Sequence, residues 1–359
     1  MMIERLREYV GTETPTGDAA ALNAFADRLA TRYADLGATV RREPQPTGDH
    51  LIADFPGRAA QPLLFLTHHD TVWPIGQLAG AMPWREADGI IHGPGVFDMK
   101  GGLVVLETAL EQVAGRDHRP LRIVVVADEE IGSPTARALV TAEAEGAYAA
   151  FGFEPPHPNG DLKTSRWGST RVRLEVTGRE AHAALDPDRG VSAIDELVDQ
   201  LIAVRQVVAG HEKVLCNVGT ISGGGRTNVV PGTASADIGF RFVDPQTEEA
   251  VLAAVTELKP VRDAQLSVQV LSNRPAWEPS GATDELLAKV AAAGRSIGQE
   301  IGGAPASGAA DTNLTGWLGI PTLDGLGPVG KGAHAVHEQV VAATLAERAA
   351  LVAAIITAL

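Results

Sequence analysis

Three compact apolar runs in this chain end in clustered ionisable residues. PLLFLT at 62–67 runs into His68, His69 and Asp70, LRIVVVA at 121–127 into Asp128, Glu129 and Glu130, and YAAFGF at 148–153 into Glu154. Asp98 lies between glycine-rich bends in GPGVFDMKGG at 93–102. Apolar runs of this kind predict strands of a largely parallel sheet buried on both faces, and such sheets bind ligands in the crevice outside the strands' carboxyl ends. The charged clusters are therefore expected to converge. Carboxylates gathered without counter-charge repel one another, and each would have to be protonated to coexist. The chemistry predicted is that of bound cations. Imidazole mixed with hard oxygen donors and no thiolate suits zinc, with cobalt or manganese as substitutes, and the candidates outnumber the needs of one tetrahedral ion. Two ions are the better count.

Bringing these residues together requires an α/β framework. The pattern predicts a short helix over 2–10, a long amphipathic helix from Asp18 to Leu36, strands at 38–43 and 50–55, and a helix at 101–114 between the first two apolar strands. After Thr164 the pattern changes. A half-exposed strand RVRLEVTG, a helix near 190–208, strands near 214–222 and 233–243, a helix near 246–258 and a strand near 265–271 follow in the order βαββαβ, the ferredoxin-like split unit. From Arg274 the α/β pattern resumes, with a helix near 283–297, a strand around 320–324 and an Ala-rich helix from about 340. The expected organisation is a first domain of residues 1–165 and 273–359, a mostly parallel sheet flanked by helices. Into it a second, ferredoxin-like α+β domain of residues 166–272 is inserted.

Composition narrows the function classes. The 359 residues are 45% hydrophobic and 21% charged, enough for a large core. A formal charge of −15 argues against nucleic acid or an anionic membrane as partner. No apolar window is long enough to predict a membrane span, and MMIERLREYV has no export-signal pattern. One cysteine, Cys216, excludes an internal disulfide and any zinc-finger or iron–sulfur framework, so a reducing, cytoplasmic setting is expected. GPVGKGAH at 327–334 lacks the Ser or Thr of a phosphate loop, the glycines at 223–225 read as a turn, and no GxSxG elbow appears.

Taken in order, HHDTV at 68–72, GPGVFDMKGG at 93–102, DEEIGS at 128–133, FEP at 153–155 and GAH at 332–334 resemble the dinuclear zinc exopeptidase superfamily. Its members include glutamate carboxypeptidase, acetylornithine deacetylase, succinyl-diaminopimelate desuccinylase and the aminoacylases. The resemblance spans essentially the whole chain and implies two zinc ions per subunit. It assigns His68 and Glu154 to one ion, His334 and Glu130 to the other, and Asp98 to both, with a water or hydroxide as second bridge. Three carboxylates and a hydroxide then balance two divalent ions. The resemblance also implies that Asp70 orients the His68 imidazole and that Glu129 is the general base.

In the inserted domain, the resemblance makes His182, in GREAHAALDPDRG, a residue that polarises the substrate carbonyl in a partner subunit's active site, and so implies a homodimer. Asn228 and Arg241 match positions that hold the substrate's free carboxylate, and Arg274 one where glutamate-specific members place a further cation. His334 is preferred to His337 as ligand because the family carries a glutamate four residues on, here Glu338. His69 reads as a packing residue. Where many relatives have Ser or Thr before a late aspartate, this chain has Ala310 before Asp311, which bears on specificity. The implied reaction is hydrolysis of the amide bond to a C-terminal acidic residue of a small peptide or N-acyl-amino acid, as in glutamate carboxypeptidase. N-acyl-amino-acid deacylation is the alternative, and an inactive binding member of the fold the third reading.

Overall fold

Strand β3 (Leu63–His68) is buried along its whole length, and its two faces explain the architecture around it. In the computed structural model, which describes all 359 residues, Leu63 and Phe65 join one hydrophobic cluster and Leu64 and Leu66 another. This is the period of two of a strand covered on both sides. The larger cluster takes in helices α1 (Met2–Gly11), α2 (Ala19–Asp35) and α3 (Gly101–Val113) with the helices Gly281–Ser296 and Ala342–Ala358. The smaller lies under α4 (Arg137–Ala144) and Leu314.

The sheet is completed by β1 (Thr39–Glu43), β2 (His50–Phe55), β4 (Leu121–Val126), β5 (Ala149–Gly152) and the short strand Thr322–Leu323, in the order β1–β2–β4–β3–β5–Thr322. From β4 onward every pairing is parallel, whereas β1–β2 and β2–β4 are antiparallel. The mostly parallel α/β class is therefore what forms. Because β3, β4 and β5 run the same way, their carboxyl ends, carrying His68, Asp128 to Glu130 and Glu154, lie along one edge of the sheet.

The chain divides into two compact units, Met1–Ser165 with Pro279–Ala306 and Ala310–Leu359, and Arg166–Glu278 with Ser307–Ala309. The second unit is an antiparallel sheet of β6 (Gly168–Thr177), β7 (Val214–Gly223), β8 (Thr233–Phe242) and β9 (Gln265–Arg274), ordered β7–β8–β6–β9. Helices α5 (Ala193–Ala209) and α6 (Pro245–Thr256) complete the βαββαβ order. Val172, Leu174 and Val176 of β6 pack with Leu197 and Val204 of α5 and Val251 and Val255 of α6. Ser169, Arg171, Arg173 and Glu175 alternate with them and so lie on the opposite face. Both helices begin on a side-chain cap, Ser192 accepting the Asp195 N–H and Asp244 the Thr247 N–H.

Two details differ from the sequence pattern. β9 runs on to Arg274 and Trp277 bridges Arg166, so this unit reaches Glu278 and a boundary at 272 would cut the strand. In the first unit, Arg85–Ala87, Ile90–His92, Gly330–Lys331 and Gln339–Val341 form a small extra sheet. Strands of two or three residues are too short to show a period. No helix is long and apolar enough to cross a membrane.

Candidate metal centre

His68, the last residue of β3, is almost fully buried. Its Nδ1 lies 3.0 Å from the Asp70 carbonyl oxygen and 3.3 Å from Asp70 Oδ1, so Nδ1 carries the proton that is donated there. Nε2 then faces Asp98 Oδ1 at 3.2 Å and Glu154 Oε1 at 3.4 Å. A lone pair among carboxylates is repelled unless a cation or a second proton stands between them. On its other side Asp98 turns Oδ2 to His334 Nε2 at 3.4 Å, and His334 Nε2 lies 2.9 Å from Glu130 Oε2. The two oxygens of one carboxylate thus face two different imidazoles.

The electrostatics are those of a site that demands positive charge. Asp98 and Glu130 push the His334 imidazole up to about 11. Burial disfavours a charged His68, yet Asp70, Asp98 and Glu154 still carry it well above its ordinary value. Burial raises Glu130, and its Oε1 is a buried oxygen with no partner. The oxygens and nitrogens of His68, Asp98 and Glu130 converge within 4.8 Å, as do those of His68, Glu129 and Glu154. Such a donor set, two imidazoles with carboxylates and an orphaned buried oxygen, fits divalent cations of the zinc type.

Asp70 ties two strand ends together. Its Oδ1 accepts the Glu129 N–H at 3.2 Å and its Oδ2 accepts the Glu130 N–H at 3.1 Å and the Thr16 hydroxyl at 2.8 Å. The same carboxylate is within 3.3 Å of His68 Nδ1, so it orients the imidazole and fixes the loop that follows β4. Asp128, in the same charged cluster, makes a local turn instead, accepting the backbone N–H of Thr135 at 2.7 Å and its hydroxyl at 2.6 Å. His69 is buried with Nε2 3.1 Å from the Asp49 carbonyl, and burial pushes it down to about 4, leaving it neutral.

Sequence reasoning missed several buried polar residues around this centre. Glu338 entered it only as a marker for His334, yet it is buried and accepts backbone N–H groups of the Asp98 loop. Lys100 is buried with Nζ donating to the Thr12 carbonyl at 2.6 Å, and burial lowers it to about 7. Asp311, noted in the sequence only for the alanine before it, accepts a short hydrogen bond from the Ser133 hydroxyl. A lone Lys or Glu in a sequence reads as exposed by default.

The remaining expected residues lie in the second unit, in two pairs. His182 bridges Val229, and the Ala183 N–H donates to the Asn228 carbonyl at 3.0 Å, which sets His182 and Asn228 on adjoining segments. His182 Nδ1 accepts the N–H groups of Ala184 and Leu185 at 3.2 and 3.1 Å, so the neutral ring carries its proton on Nε2. Arg241 and Arg274 both pair in register with Ser169, one from each side of β6, and so share a face of the sheet. Arg241 donates to the Ser169 hydroxyl at 2.6 Å, and burial together with the neighbouring Arg274 charge lowers it. Ser169 had no signal in the sequence: it precedes the predicted strand RVRLEVTG, whereas β6 begins at Gly168.

Residues 64–358 match peptidase family M20/M25/M40. The chain belongs to this family. The M20 chain is 30% identical over 345 residues to carboxypeptidase G2 of Pseudomonas sp. (strain RS-16), covering 93% of this chain and 83% of that protein. It is also 30% identical over 310 residues to succinyl-diaminopimelate desuccinylase of Gluconacetobacter diazotrophicus, covering 80% of this chain and 79% of the relative. Its fold matches aminopeptidase PepT from Bacillus cereus, with a TM-score of 0.76 at 23% identity over 99% of this chain and 97% of the other. It also matches an M20 family metallo-carboxypeptidase, Sso-CP2, from Sulfolobus solfataricus, with a TM-score of 0.75 at 15% identity over 99% and 98%. The M20 chain is accordingly a hydrolytic enzyme of the metallopeptidase class.

Proposed function

We propose that this M20 enzyme is a two-zinc exopeptidase that cleaves the amide bond to a C-terminal acidic residue of a small peptide or N-acyl substrate. The observation that carries the two-ion reading is Asp98, whose Oδ1 faces His68 and whose Oδ2 faces His334. His68 and Glu154 would hold one ion, His334 and Glu130 the other, with Asp98 shared; cobalt or manganese could substitute. When bound, the ions polarise the scissile carbonyl and lower the pKa of water. Glu129 takes the proton of the attacking water as the carbon–oxygen bond forms and delivers it to the leaving nitrogen as the carbon–nitrogen bond breaks. Asp70 holds the Glu129 and Glu130 amides and the His68 ring in place throughout.

Preference for an acidic residue is supported by Arg241 and Arg274 on either side of Ser169. Two guanidiniums on one sheet face suit a group with two carboxylates, each able to receive a bidentate bond; Asn228 would add an amide donor. Homodimerisation through the inserted unit is supported by the exposed stripe of Ile194, Val198 and Ile202 on α5 and by β7, an edge strand with Leu215 and Ile221 exposed. His182 Nε2–H would then polarise the substrate carbonyl in the partner's site. A cytoplasmic setting rests on the lone thiol of Cys216.

The similarity to a desuccinylase favours a second reading, deacylation of an N-acyl-amino acid. The test is turnover of benzoyl-glutamate against acetyl-ornithine and succinyl-diaminopimelate with zinc or cobalt, before and after chelation. The exopeptidase reading expects a preference of about tenfold or more for the glutamate conjugate, and a rise in KM with Arg241→Ala or Arg274→Ala, since each guanidinium–carboxylate pair contributes roughly 1.5–3 kcal/mol. Preference for either deacylase substrate overturns it.

A further inference from the structure

One buried carboxylate joins the two loops that carry Asp98 and His334. Glu338 is 1% exposed. Its Oε1 accepts the N–H groups of Phe97 and Asp98 at 2.9 and 3.0 Å, and its Oε2 accepts the Gly95 N–H at 2.9 Å and the Trp73 indole N–H at 2.7 Å. All four donors are thus satisfied by a side chain 240 or more residues away in sequence. At its own end Glu338 closes the turn that bears His334, its N–H donating to the Ala335 carbonyl at 2.8 Å and the Ala335 N–H to the Gly332 carbonyl at 2.9 Å. Gly332 has φ +85°, and a Cβ there would sit 3.0 Å from the Glu338 Cα, so the turn is tight.

The two sides of the centre differ in what else holds them. His68 is buried at the end of β3 and fixed by Asp70, whereas the His334 side chain is half-exposed in a turn and has φ +60°. On the second side the separation of His334 Nε2 from Asp98 Oδ2, 3.4 Å, depends on how the turn is set against the Asp98 loop. Glu338 makes that connection directly.

We propose that Glu338 is a positioning residue that keeps Asp98 and His334 in register and so creates the second cation position, the one formed with Glu130. This rests on the two-ion reading above. A role confined to folding would weaken both cation positions equally or neither; a positioning role weakens the His334 side selectively. Glu338→Gln is the sharper probe because it keeps the volume but has only one acceptor oxygen, and its amide NH2 would meet two of the four N–H donors. Trp73→Phe removes one bond and leaves the three to the backbone.

The experiment is titration of metal-stripped, full-length protein with Zn2+ or Co2+ against a chromophoric chelator, alongside circular dichroism and thermal unfolding. Wild type is expected to bind two equivalents. Folded Glu338→Gln should keep one at wild-type affinity and bind the second about tenfold to a hundredfold more weakly, and Trp73→Phe should keep both. Two equivalents at wild-type affinity in folded Glu338→Gln, or equal weakening of both, overturns the inference. Should Glu338→Gln not fold, Glu338→Asp, which withdraws the carboxylate by one methylene, is read by the same outcomes. A wild type that binds fewer than two ions removes the two-ion reading and this inference with it, a result distinct from failure of the variant alone.

Discussion

Adjacent carboxylates can face different partners when the backbone holds them at different angles, as Glu129 and Glu130 do. Asp70 accepts both of their N–H groups, so the loop is fixed at two successive residues and the side chains diverge. Glu130 reaches His334 at 2.9 Å, while Glu129 groups with His68 and Glu154. Because Asp70 contacts the Glu129 backbone, Glu129→Ala should leave that clamp and all five proposed ligands intact. The expected result is two bound equivalents of metal with kcat lowered by about two orders of magnitude or more and KM little changed. Near-normal turnover of the metal-replete variant, with metal content measured on the same sample, would remove Glu129 from the proton transfer. At this scale the sequence is readable where chemistry restricts residue type: imidazole and carboxylate at strand ends point to cations whatever the rest of the chain does. Asp128 carries the same chemical type at the same strand end yet bonds Thr135, and only the path of the turn separates it from its neighbours.

Elements place these residues by close approach as much as by pairing. Helix α3 starts directly after the Asp98 loop with Gly101 and Gly102, and both are needed for want of space. A Cβ on Gly102 would lie 2.4 Å from the Phe153 carbonyl oxygen and 2.9 Å from the Met99 Cε, and one on Gly101 2.5 Å from the Val96 carbonyl oxygen. Phe153 immediately precedes Glu154, so the start of α3 is set directly against the residues that follow β5. Gly102→Ala must separate them and is expected to lower stability by about 1–3 kcal/mol, the usual cost of overpacking. Thermal unfolding of the variant checks this; an unchanged midpoint would mean that α3 can shift without consequence. The glycines were visible in GPGVFDMKGG, but the reason for Gly102 was not, because it lies at Phe153, some fifty residues later in the chain. Long periodic segments were legible because burial repeats along them many times: α2, α5 and β6 all form where their apolar spacing predicts. The end of β9 was not, since Ser272, Asn273 and Arg274 continue the strand with polar residues held by pairing to β6, and pairing leaves no mark in a single sequence.

For the whole molecule the prediction is that two chains share each proposed site. The His182 ring has its Nε2–H tautomer fixed by two backbone N–H groups on Nδ1, which gives a donor suited to a carbonyl oxygen. His182 is exposed, and the α5 stripe on the same unit is apolar at positions 194, 198 and 202. Covering that stripe with a second copy related by a two-fold axis would hide both copies' stripes at once, as an isologous interface does. If His182 acts on the partner's substrate, a His182→Ala protomer has a working metal centre but cannot complete its partner's site, and a Glu129→Ala protomer has the reverse defect. Each homodimer is then inactive. After random exchange of equal amounts, half the dimers are mixed, and each mixed dimer has one intact combination of Glu129 and His182 out of two. Activity should therefore return to about a quarter of wild type. If His182 serves its own chain, no protomer in the mixture has both residues and nothing returns. Native mass spectrometry of differently tagged protomers establishes the exchange, so that absence of recovery in a verified mixed population, or a monomer at assay concentrations, overturns the shared site.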